Sequence, residues 1–104
     1  MADTSLVDPL GRGVVFADHT WERHILVAHP DMDGGREYVE KAIISPRAIW
    51  TSSSDANVRI YYGDGPSPYL LVAVKANIET GTVLTAHLAK KETGAHREWP
   101  LPSK

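Results

Sequence analysis

Between residues 48 and 89 the chain alternates apolar and polar positions in four short runs, 48–52, 58–63, 69–76 and 82–89, separated by turn-forming residues. Successive side chains on a strand point to opposite faces, so each run divides into two sets. One set is Val58, Ile60 and Tyr62, then Leu70, Val72 and Val74, then Leu84, Ala86 and Leu88, apolar enough to be a core face. The other is Arg59 and Tyr61, then Tyr69, Leu71, Ala73 and Lys75, then Val83, Thr85 and His87. The connecting stretches 52–57, 64–68 and 78–81 are rich in Ser, Asp, Gly and Pro. Their hairpin length predicts antiparallel pairing.

Upstream the period changes. Asp18 or Thr20 caps a helix start, Glu22 sits in the first turn where negative charge is favoured, and Pro30 ends the helix at His29. At about 100° per residue, Trp21, Ile25 and Ala28 form an inner stripe with His24 beside it, which turns His24 toward the protein. A second helix is expected over about 35–44, with Val39, Ala42 and Ile43 inward, Glu37 and Lys41 paired outward, and Pro46 as its stop. The expected fold class is therefore α+β, with two N-terminal helices packed on one face of a four-stranded antiparallel β-meander. Residues 1–17 read as a lead-in segment, in which 13–17 is either a short edge strand or an apolar plug. Residues 18–90 form a single domain. Residues 91–104 form a C-terminal tail, either disordered or docked through Trp99.

Composition narrows the class. A chain of 104 residues that is 42% hydrophobic and 23% charged, with net charge −2, is an ordinary globular domain with one core. The absence of cysteine removes disulfides and thiolate metal sites and fits a reducing compartment. No run approaches the roughly 20 apolar residues of a membrane span, and the start lacks a signal-peptide pattern, so a cytoplasmic location is expected. The slight acidity argues against tight, indiscriminate nucleic-acid binding, which rests on neutralising phosphates. A local basic patch is compatible with it.

Several chemistries are unsupported. Histidines 19, 24 and 29 are spaced by five. On a regular helix each such step turns the side chain by about 140°, and the outer pair stand about 15 Å apart along the axis. No metal is expected there, and no other cofactor. Neither a G-x-x-x-x-G-K loop nor a G-x-S-x-G elbow occurs. What remains is the polar face of the meander. Metal-independent RNA cleavage needs a base for the ribose 2′-hydroxyl, an acid for the leaving 5′-oxygen, and cations for the charge building on phosphorus. His87 suits the base or acid, and Arg59 suits the phosphate through its planar fork. Lys75 adds charge, Tyr61 stacks on a base or donates its hydroxyl, and Thr85 orients a phosphate oxygen. Polar residues on one sheet face are also, most often, only its solvated surface.

The order Trp21-Glu-Arg-His24-Ile25, His29-Pro30, Pro46, Arg59-Ile-Tyr61-Tyr62, the apolar run from Tyr69, and Thr85-Ala-His87 resembles small phage-associated and toxin-like members of the barnase/EndoU/colicin/RelE-like (BECR-fold) ribonuclease superfamily. The resemblance spans roughly residues 18–90. It implies helices followed by a four-stranded antiparallel sheet, and a metal-independent endoribonuclease that leaves a 2′,3′-cyclic phosphate. Residue by residue it points to His24, Arg59 and Thr85, while His87 stands where such members often carry an aromatic such as Tyr. It further implies RNA as substrate, an antitoxin or immunity protein as partner, no membrane, and a monomer or small homo-oligomer. The resulting expectation places His24, Arg59, Thr85 and His87 in catalysis and Tyr61 and Lys75 in substrate binding. The alternative is an inactive binding module of the same fold that uses the Arg59, Tyr61 and Lys75 face for a protein or nucleic acid. A His24 on the covered face would meet Arg59 and His87 on the open face only around a sheet edge or end.

Overall fold

The computed structural model describes residues 3–32, 34–64, 69–76 and 80–100. Strands β1 (Thr4–Val7) and β2 (Gly13–Phe16) lead into helix α1 over residues 18–28 and a 3-10 turn, Pro30–Met32. Helix α2 (Arg36–Ile44) follows. Five strands complete the chain: β3 (Ala48–Thr51), β4 (Val58–Gly63), β5 (Tyr69–Ala76), β6 (Thr80–Ala89) and β7 (His96–Trp99). The strands form one seven-stranded sheet in the order β1-β2-β6-β5-β4-β3-β7. All neighbours are antiparallel except β2 and β6, which run parallel.

This corrects the expected two helices on a four-stranded antiparallel meander. The four runs do pair in sequence order, but they are the middle of a larger mixed sheet. The stretch read as a lead-in supplies β1 and β2, and the stretch read as a tail supplies β7. Between β1 and β2, Asp8-Pro9-Leu10-Gly11 makes a tight turn. The Asp8 carboxylate accepts the backbone N–H groups of Leu10 and Arg12, both at 2.9 Å, and Gly11 takes φ 81°. That positive φ is one that glycine adopts without steric cost. The second and third expected hairpin turns fall largely outside the described residues.

The face assignment also changes. Tyr61 pairs with Val72 and Arg59 with Val74, so Arg59, Tyr61 and Gly63 share the helix-covered face with Leu70, Val72 and Val74. Val58, Ile60 and Tyr62 lie on the other face. On β6 a bulge adds a residue: Val74 pairs with Val83 but Ala73 pairs with Thr85, leaving Leu84 between them, 43% exposed. Val83, Ala86 and Leu88 then point to the core. A shift of one residue exchanges the two faces of a strand, and alternation within each run does not fix the phase between runs.

Helix α2 supplies Val39, Ala42 and Ile43 to a core with Leu6, Val14, Phe16, Trp21, Ile25, Ile49, Tyr61 and Val72. It lies directly on β4. A Cβ at Gly63 would stand 2.6 Å from the Ala42 Cβ, so glycine is what permits this approach. The sheet curls around the helix side. Arg12 Nη1, in the β1–β2 turn, lies 3.4 Å from Glu98 Oε2 on β7. In a flat sheet β2 and β7, five places apart, would be separated by about 24 Å.

Helix α1 departs from regular geometry over Trp21–Ile25, a π-helical turn in which the Leu26 N–H donates to the Trp21 carbonyl five residues back. The extra residue shifts every later inward position by one. Trp21 and Ile25 are buried as expected, but Ala28 is exposed and the half-buried position passes to His29.

Candidate functional site

Strand β6 pairs with β2 only through residues 80–82. Beyond that point α1 packs along β6 in place of a strand. The helix therefore ends beside the far end of β6. His29 leaves the helix with φ −135° while its N–H still donates to the Ile25 carbonyl at 2.7 Å. Its ring meets the His87 ring at a centroid distance of 5.2 Å, tilted by 32°. Both residues are half-buried. His87 Nδ1 lies 3.1 Å from the Leu88 carbonyl oxygen, a bond in which the imidazole is the donor, and this directs the tautomer.

Of the residues expected at the site, Thr85 shares the face of His87, two positions back on β6, and is half-buried. Lys75 is on that same face but about 14 Å away along β5, counting four residues from the partner of His87. Its Nζ is 3.0 Å from Asp55 Oδ2. Arg59 and Tyr61 lie on the opposite, covered face, 8% and 0% exposed. No one face of the sheet presents Arg59, Tyr61 and Lys75 together. His24 points to solvent from the outside of α1, its ring 6.1 Å from that of His19. The structure thus joins His87 and Thr85 with His29, and sets Arg59, Tyr61 and His24 apart.

The sequence marks His29 only as part of a His-Pro pair, with no role implied. The helix phase that brings it to β6 depends on the π-helical turn, which regular periodicity does not contain. The same turn brings together two histidines that a regular helix would separate, because five residues make slightly more than one π-helical turn and place His19 beside His24. Among the described residues no group of three or more His, Asp or Glu is arranged to hold a metal ion.

A second polar cluster lies on the covered face. The Asp8 side chain, fully buried, also accepts from Tyr61 Oη at 2.7 Å and Arg12 Nε at 2.8 Å. Burial works to raise the Asp8 carboxyl, but the bonds from Tyr61 and from the Arg12 backbone and side chain, with the Arg12 charge, outweigh it and hold the group below its usual value. Burial and the bond to Asp8 push the Tyr61 hydroxyl far above the usual phenol range, so Tyr61 keeps its proton at neutral pH. An imidazole pair at a sheet edge suits proton exchange with a substrate, whereas this cluster suits holding strands together.

Comparison with known proteins finds no matching family model, no matching curated protein and no matching solved structure. Among the described residues no helix is long and apolar enough to cross a membrane.

Proposed function

We propose that this protein is a toxin-like, metal-independent endoribonuclease whose acid and base are His29 and His87. The observation that carries the reading is their ring contact at 5.2 Å, made by two half-buried imidazoles from different elements. Ring contact leaves no room for a phosphate between them, so RNA approaches the pair from its solvent side. One imidazole takes the proton of the ribose 2′-hydroxyl. The 2′-oxygen attacks phosphorus, and the P–O5′ bond breaks as the other imidazole, protonated, gives its proton to the leaving oxygen. The products are a 2′,3′-cyclic phosphate and a free 5′-hydroxyl. Thr85, two positions back on the same face of β6, supplies the hydroxyl that orients a phosphate oxygen. Arg59 and Tyr61 take no part, being buried on the other side of the sheet. The resemblance in the sequence supports the same reaction class, and with it action on cytoplasmic RNA and control by an antitoxin or immunity protein.

The test is incubation of purified protein with labelled RNA in excess EDTA, alongside His29→Ala and His87→Ala, with analysis of product ends. Cleavage to 2′,3′-cyclic ends that falls about 10²-fold or more in each variant is the expected result. Absence of cleavage by well-folded protein across several RNAs, or cleavage indifferent to both substitutions, overturns the proposal.

A further inference from the structure

The His29–His87 pair has the dimensions of a chelate. Two imidazoles bound to one tetrahedral ion, with metal–nitrogen distances of about 2.0–2.1 Å, put their ring centres about 5 Å apart. The observed separation is 5.2 Å. The tilt of 32° is compatible with this, because each ring can turn about its own metal–nitrogen bond. The tautomer agrees with the distance. His87 Nδ1 donates to the Leu88 carbonyl at 3.1 Å, which leaves Nε2 as the nitrogen with the lone pair. Histidines that bind metals commonly hold their other N–H on a carbonyl or carboxylate, and that bond orients the ring before the ion arrives. Among the described residues the His29 ring takes no hydrogen bond, so neither of its nitrogens is committed.

His19 and His24, the other close pair, are less prepared. Their rings are 6.1 Å apart, both are exposed, and no hydrogen bond among the described residues orients either. Both also belong to α1, whereas His29 follows the last turn of α1 and His87 lies on β6, so an ion shared by the latter two ties helix to strand. Imidazole suits zinc, nickel and copper, while magnesium takes oxygen ligands. We propose that His29 and His87 form a two-histidine site for a divalent transition-metal ion of the zinc class, with water completing the coordination. The site stands on this geometry alone, and one consequence rests on the proposed function. Ligation takes the lone pair that the base needs and displaces the proton that the acid gives, so the bound ion inhibits RNA cleavage.

The experiment titrates zinc chloride into the chelator-free protein at pH 7.5 by calorimetry, with magnesium chloride for comparison and cobalt chloride for its visible spectrum. One zinc per chain is expected, with no magnesium response and the intense visible band of four-coordinate cobalt. The thermal midpoint should rise by roughly 5 °C or more at zinc near 100 times its Kd. His29→Ala and His87→Ala should each weaken zinc binding about tenfold or more, while the double variant His19→Ala/His24→Ala binds as wild type does. Should an alanine variant not fold, His29→Gln or His87→Gln carries the same expectation. Zinc binding that is absent, that survives both substitutions, or that is lost in the His19→Ala/His24→Ala protein instead, overturns the proposal. Saturating zinc should lower RNA cleavage about tenfold or more, and EDTA should restore it. A protein that binds zinc through the pair yet cleaves RNA undiminished supports the site and overturns the acid and base roles. One that binds zinc through the pair and never cleaves RNA likewise supports the site and overturns only the proposed function.

Discussion

The His29–His87 pair and the Asp8–Tyr61–Arg12–Glu98 cluster use similar chemistry in opposite ways. In the cluster the Asp8 carboxylate accepts from two backbone N–H groups, one phenol and one guanidinium, and it is sealed from solvent. Its hydrogen-bonding capacity is consumed by the fold, tying the β1–β2 turn to β4 and, through Arg12, to β7. The imidazoles are held mainly by helix phase and one carbonyl contact, and both are half-exposed. A polar group whose bonds are all spent inside the protein stabilises structure, while one left open to solvent can act on something else.

Substitutions test this division directly. The largest effect is expected from His29→Ala or His87→Ala, which should cut RNA cleavage by about 10²–10⁴-fold while moving the thermal midpoint little. A large loss of stability in either would place the pair with the cluster. Asp8→Ala should do the reverse, costing about 3–5 kcal/mol of stability by leaving the Tyr61 hydroxyl unpaired and Arg12 with Glu98 alone, with cleavage retained below its lowered midpoint. Tyr61→Phe removes one bond and leaves Asp8 otherwise paired, so denaturant unfolding should register a loss of about 1–2 kcal/mol. Acid sharpens the contrast. The folded Asp8 carboxyl lies below its ordinary value of 3.8, so its contribution is complete above that pH and is lost as pH falls through the folded value. Wild type should lose stability below about pH 4 more steeply than Asp8→Asn. The smallest effect is expected at Lys75→Ala, whose partner Asp55 is about as exposed as Lys75 itself; its midpoint should match wild type.

Much of the local structure was legible in the chain, and the relation between its parts was not. The α2 stripe of Val39, Ala42 and Ile43 and the β4, β5 and β6 runs follow from periodicity, because burial selects side chains on one face. Which face of β4 meets which face of β5 depends on register, and Tyr61 looked open for lack of it. Alternation alone puts Leu84 in the core, because a bulge carries no hydrophobic signature. β1 and β7 are four residues each and carry two apolar positions and one, too few to declare a strand. The turn signal at Asp8-Pro9-Leu10-Gly11 was present, and with it a hairpin could have been placed. At the site, Thr85 and His87 were found because they share a strand, whereas His29 came to them through a helix irregularity.

That irregularity amounts to a single spare residue in α1. Regular winding of the same residues from Trp21 onward would turn everything after the π-helical segment by about 100° and push it forward by about 1.5 Å, swinging the His29 imidazole away from β6. Deleting Arg23 would absorb the spare residue instead, leaving Trp21 and Ile25 an ordinary i, i+3 pair and the His29 imidazole still beside β6. The reach of the helix to its strand is therefore set by the number of residues in one turn and not by which residues they are.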